Sequence, residues 1–132
     1  MRKIWHIKTL FELKKLAKEI AASVTGGEIF ALNGNLGSGK TTFTKALARA
    51  LKIKKHVTSP TFVIMKAYPF KKTSRKLHLY HLDLYRTETN IVENLGLKEI
   101  WKDKNSITVI EWANKIKKHL PKATHQIFFH HT

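Results

Sequence analysis

Gly34-Asn35-Leu36-Gly37-Ser38-Gly39-Lys40-Thr41 is the stretch on which the reading of the whole chain turns. It fits G-x-x-x-x-G-K-[ST], the spacing of a phosphate-cradling loop, with one further glycine inside it. Glycine lets the backbone turn tightly, so that successive N–H groups converge on phosphate oxygens. A helix beginning at about Lys40 would add the positive end of its dipole and its unpaired amides. Lys40 is then expected to reach the β- and γ-phosphates, and the Thr41 hydroxyl to occupy one position on Mg²⁺.

The flanks agree with this. Glu28-Ile29-Phe30-Ala31-Leu32-Asn33 reads as a short buried strand entering the loop, and Phe43, Ala46, Leu47, Ala50 and Leu51 recur at helical spacing after it. Strand, loop and helix in that order is what the motif requires.

At 132 residues the chain reads as one domain over 1–132, large enough to bury a core. It has no cysteine, which excludes disulfides and thiolate metal sites. No apolar run approaches the ~20 residues of a membrane span, and the cytoplasm is the expected location. Twenty-five basic against 9 acidic residues give a formal charge of +16. A field of that sign favours anionic partners such as RNA, nucleotides or an acidic protein surface. Lys71-Lys72-Thr73-Ser74-Arg75-Lys76 is its densest patch and is expected to be a loop.

Toward the N-terminus, Lys3 to Ile7 suggests a first strand. Thr9 and Glu12 form a capping-box pair opening a helix that carries Leu13, Leu16, Ala17, Ile20 and Val24 on one face. Beyond the glycine-rich loop, Thr58-Ser59-Pro60-Thr61 makes a turn rich in hydroxyls that could respond to a γ-phosphate as switch loops do. Phe62 to Tyr68 and Leu77 to Leu84 read as a hairpin. Period two puts Leu77, Leu79, His81 and Asp83 on one face of the second strand, with Asp83 at its carboxyl end, where α/β sheets hold ligands. Ile91 to Leu95 suggests a short helix closed by Gly96. Ile107-Thr108-Val109-Ile110 is a β-branched strand running into Glu111-Trp112, the form of an element that offers Mg²⁺ a hard oxygen, directly or through water. Ala113 to Leu120 is expected to be a basic helix stopped by Pro121, and Gln126 to Phe129 a last strand. His119, His125, His130 and His131 are read as solvated residues rather than metal ligands.

Four signatures in order give the chain a family resemblance: Gly34 to Thr41, Ser59-Pro60-Thr61-Phe62, His81-x-Asp83-x-Tyr85-Arg86 and Glu111-Trp112. From about Thr9 to Pro121 the chain resembles the TsaE family of ATPases in tRNA threonylcarbamoyladenosine biosynthesis. The resemblance implies a three-layer α/β P-loop NTPase fold with a mostly parallel central sheet. It implies ATP and Mg²⁺ as cofactors, with Asn35, Leu36, Gly37, Ser38, Gly39, Lys40, Thr41, Thr42, Thr61 and Trp112 about the nucleotide. Thr41, Asp83 and Glu111 would organise the metal, and Lys40, Asp83 and Glu111 would carry the catalysis. The implied activity is weak ATP hydrolysis supporting the TsaD and TsaB proteins, with tRNA touched indirectly or weakly and no membrane partner.

Other nucleotide readings fit less well. A regulatory GTPase would carry N-K-x-D, whereas Asn114-Lys115-Ile116-Lys117 ends in lysine, and Arg86 stands where such proteins have glycine. A small-molecule kinase would need a lid and an acceptor pocket. The alternative of a different class is a non-hydrolysing, nucleotide-dependent RNA-binding adaptor.

Overall fold

The computed structural model describes residues 2–35, 39–55, 57, 64–85 and 90–130. Its frame is a six-stranded sheet in the order β1-β6-β2-β5-β4-β3. The strands are β1 (Ile4–Ile7), β2 (Ile29–Asn33), β3 (Met65–Lys72), β4 (Arg75–Asp83), β5 (Ser106–Glu111) and β6 (His125–Phe129). Every pairing is parallel except that of β3 with β4, which places an antiparallel hairpin at one edge.

Alternation along the strands sorts the core into two faces. Phe30, Leu32, Leu79, Ile107 and Val109 pack with α1 (Leu10–Ser23) and α2 (Lys40–Ala50) on one side. Ile29, Ala31, Leu82 and Ile110 pack on the other with α3 (Ile91–Asn94), α4 (Leu97–Lys102) and a 3-10 helix at Ala113–His119. Three layers result, as the resemblance implies. All six residues of β5 are buried, which explains its unbroken β-branched run: a central parallel strand has no wet face.

The capping box forms as read. The Glu12 amide donates to Thr9 Oγ1 at 3.1 Å, and the Thr9 amide donates to the Glu12 carboxylate at 3.0 Å. One expectation is corrected. The patch Lys71 to Lys76 is not a loop: β3 runs to Lys72 and β4 starts at Arg75, leaving a two-residue turn. Thr73 and Ser74 both have positive φ, the twist a tight hairpin needs, though neither is the glycine or asparagine that usually signals it. Its cations are partly structural. Lys72 Nζ donates to the carbonyls of Ala21, Ala22 and Val24 at 2.9, 2.9 and 2.7 Å, closing α1, whose own last turn has no basic residue. Arg75 donates to the carbonyls of Thr25 and Lys104.

The basic helix expected after β5 forms over Ala113–His119, as a 3-10 helix with a non-helical Ile116. Only Ala113 and Ile116 are buried, a spacing of three that suits three residues per turn. The last strand forms as read, over His125–Phe129, and lies inside the sheet between β1 and β2. Among the described residues no helix is long and apolar enough to cross a membrane.

Candidate functional site

The site gathers where three parallel strands end. Leu32 of β2 pairs in register with Glu111 of β5, and Asp83 of β4 pairs with the same Glu111. Two carboxylates therefore meet beside the strand that feeds the glycine-rich stretch. Period two directs His81, Asp83 and Glu111 to the face that carries α2.

Helix α2 supplies the other half. Gly39 precedes it at φ 106°, a left-handed conformation, and a Cβ there would come within 3.3 Å of Leu13 Cδ1. The φ is what favours glycine; the leucine methyl would have to give way by only a few tenths of an ångström. Lys40 and Thr41 then fall in the first turn. The Thr41 hydroxyl lies 3.3 Å from each carboxylate oxygen of Glu111 and donates to it. Lys40 Nζ donates to the Gly34 carbonyl at 2.6 Å and lies 3.6 Å from the centre of the Trp112 ring. Lys40 is 5% exposed. Burial depresses its pKa, while the charges of Glu111 and Asp83 act to raise it. Among the described residues no carboxylate comes within ion-pairing distance of this ammonium. Among the described residues this buried cation meets a carbonyl and a ring face, surroundings that could accept an anion.

Trp112 reaches Lys40 because β5 ends abruptly: its φ is 61°, left-handed without being glycine. Such a conformation costs about 1 kcal/mol or more and is found where the surroundings impose it. Tyr85 packs against the indole with ring centres 4.9 Å apart, and Lys115 Nζ donates to the Tyr85 carbonyl. Asp83 Oδ1 accepts from the Tyr85 amide at 3.1 Å, so one carboxylate oxygen is steadied by the backbone.

Sequence reasoning gave His81 a place on the face but no role. It is fully buried, and its Nε2 lies 2.5 Å from Glu111 Oε2. An ionised Glu111 has only acceptors, so Nε2 must carry a proton and donate. Among the described residues Nδ1 finds no partner. The signal was the alternation 79, 81, 83 read together with the pairing of β4 and β5.

The structure thus brings together Lys40, Thr41, Asp83, Glu111 and Trp112. Asn35 ends the described part of the loop, Gly39 opens α2, and Thr42 lies in its first turn. Leu36, Gly37, Ser38, Thr61 and Arg86 lie outside the described residues, as does the Ser59-Pro60-Thr61-Phe62 turn. Among the described residues no three His, Cys, Asp or Glu side chains group as a metal cage. A Mg²⁺ held mainly by phosphate and water needs only one or two protein oxygens, and the Thr41 hydroxyl, Glu111 and Asp83 are hard donors of that type. The arrangement fits that ion.

A family model described as "Threonylcarbamoyl adenosine biosynthesis protein TsaE" matches residues 7–132. The protein named "tRNA threonylcarbamoyladenosine biosynthesis protein TsaE" in Bacillus subtilis (strain 168) is 42% identical over 93% of this chain and 74% of its own length. Its namesake in Aquifex aeolicus is 42% identical over 78% of this chain and 71% of its own. In Nostoc sp. the figures are 36%, 74% and 59%, so this chain spans well under two thirds of that relative. The crystal structure of Bacillus subtilis YdiB superposes with a TM-score of 0.69 at 37% identity, covering 89% of this chain and 69% of that one.

Proposed function

The chain belongs to the TsaE family, and from that premise we propose that it is a cytoplasmic ATPase which binds Mg-ATP, hydrolyses it weakly and supports turnover of the TsaD–TsaB pair in threonylcarbamoyladenosine modification of tRNA. The observation that carries the reading is the meeting of α2's first turn with the end of β5: Thr41 Oγ1 stands 3.3 Å from both Glu111 oxygens, beside a buried Lys40 that, among the described residues, has no carboxylate within ion-pairing distance.

In this reading Lys40 binds the β- and γ-phosphates and keeps its charge through the two nearby acids. Thr41 and Asp83 offer oxygens to the metal, and Glu111 orients the attacking water and receives its proton. When bound, Mg²⁺ would neutralise phosphate charge and polarise the γ-phosphoryl group. His81 holds Glu111 in place from behind. Trp112 closes the site over Lys40 and excludes water from its ammonium. The RNA-adaptor alternative draws less support, because Lys72 and Arg75 of the basic patch are engaged in tying α1 and the β4 region together.

The test is ATP turnover by the wild type and Glu111→Gln, each alone and with purified TsaD–TsaB. Stimulation by the pair is expected in the wild type. The variant should bind ATP yet lose turnover by roughly 10²–10⁴-fold, the usual worth of a general base. Stimulated turnover that survives the substitution would remove Glu111 from the chemistry, and a wild type that ignores millimolar ATP would overturn the reading.

A further inference from the structure

Helices α1 and α2 leave a groove of about 660 Å³ on their outer side. Its apolar wall is built from Ala21 and Ala22 of α1 with Ala46 and Ala50 of α2. The remaining lining residues are all cations: Lys14, Lys18, Arg49 and Lys52. The two acids of α1 are turned elsewhere. At about 100° per residue, Leu10, Phe11, Lys14, Lys18, Ala21 and Ala22 share a sector of about 120°, from which Glu12 and Glu19 are excluded; Glu12 is also occupied in the capping box.

The same sector continues past the groove into two large exposed apolar side chains, Leu10 at 56% and Phe11 at 75% exposure. Among the described residues only Ile4 and Tyr85 share that condition. Neither packs a core nor caps a helix, so an apolar contact from outside would use them. The groove sits on the C-terminal half of α2, and Arg49 is nine residues, about 13 Å along the axis, from Lys40. It is thus separate from the nucleotide-binding turn.

We propose that this groove docks an acidic, amphipathic segment of a protein partner: apolar side chains seated against the alanines and Phe11, carboxylates met by Lys14, Lys18, Arg49 and Lys52. A helix laid on its apolar side is the recognised form of such an occupant. An RNA backbone would answer the four charges, but has no use for an alanine wall continued by Leu10. The proposal builds on the TsaD–TsaB reading above, since that pair is the partner against which it is tested.

The experiment measures binding of the full chain to purified TsaD–TsaB, to tRNA and to ATP. It compares wild type, Lys14→Glu/Arg49→Glu, Phe11→Ser and the charge-conserving Lys14→Arg/Arg49→Lys. The first two variants should bind the pair at least tenfold more weakly, the third within about threefold, and all should bind ATP as the wild type does. Wild-type affinity for the pair should fall with rising salt, because charged contacts at a rim are screened. Unchanged affinity of the reversed and Phe11 variants for the pair would overturn the proposal. So would a loss confined to tRNA, which would make the groove an RNA face. A wild type that binds ATP but not the pair overturns the groove and the partner reading together, while failure to bind ATP counts against the nucleotide reading alone.

Discussion

Replacing His81 with leucine keeps a side chain of similar size in a fully buried strand position but strips Glu111 of its closest partner, 2.5 Å away. Glu111 is itself only 3% exposed, so water cannot readily take the place of the imidazole. Removing one member of a buried pair costs about 3–5 kcal/mol, because the survivor stays desolvated. Thr41 still donates to Glu111 at 3.3 Å, which favours the lower end, about 3 kcal/mol. Unfolding entropy of about 2.1 cal/mol/K per residue over 132 residues gives about 0.28 kcal/mol/K. The thermal midpoint should therefore fall by about 11 °C, read by circular dichroism without nucleotide. His81→Gln, whose amide can still donate, should recover a substantial part. Glu111→Gln should cost less in the His81→Leu background than in the wild type, since a neutral amide is cheaper to bury than a carboxylate. A midpoint within about 3 °C of wild type for His81→Leu, or strictly additive losses in the double variant, would refute the idea that His81 sustains Glu111.

Lys72→Met should destabilise by about 1–2 kcal/mol, or about 4–7 °C, by uncovering the carbonyls that end α1, whereas Lys71→Met at the exposed neighbouring position should change the midpoint by less than about 2 °C; equal effects in thermal melts would deny the tether. His125 has its pKa lowered first by burial, with Lys3 acting in the same sense and Glu28 opposing. The unfolded chain therefore takes up this proton at higher pH than the folded one, so stability is lost as pH falls below 6.5 and the loss is complete below the depressed folded value. Urea titrations across that range should show a shallower decline for His125→Gln, and parallel curves would count against the assignment.

What could be read from the chain was what lies close together along it. Gly39, Lys40 and Thr41 are adjacent, so the turn and the start of α2 follow from local chemistry, and Thr9 with Glu12 needs only one helical turn. Asp83 and Glu111 were legible as strand ends because each stops an apolar run. Their adjacency was not, because it depends on β4 and β5 pairing in one register. The hairpin turn at Thr73-Ser74 was hidden by ordinary residues holding positive φ. Lys72 read only as part of a basic patch suited to anionic partners, because charge is visible in a sequence, whereas the helix end 48 residues earlier that it satisfies is not. His81 shows the same limit: a histidine among leucines reveals little until the fold brings Glu111 within 2.5 Å of it.

The position of β6 bears on how the chain is made. Among the described residues β1 pairs only with β6, and β6 also fills the flank of β2 that β5 leaves open. While the polypeptide emerges from a ribosome, its first strand therefore has nothing to join until residues 125–129 appear. The early segments must wait with unpaired backbone edges, a state prone to clumping with other nascent chains. Closure of this side of the sheet thus waits on residues 125–129, and a lesion in that strand would unseat β1 more than a hundred residues earlier.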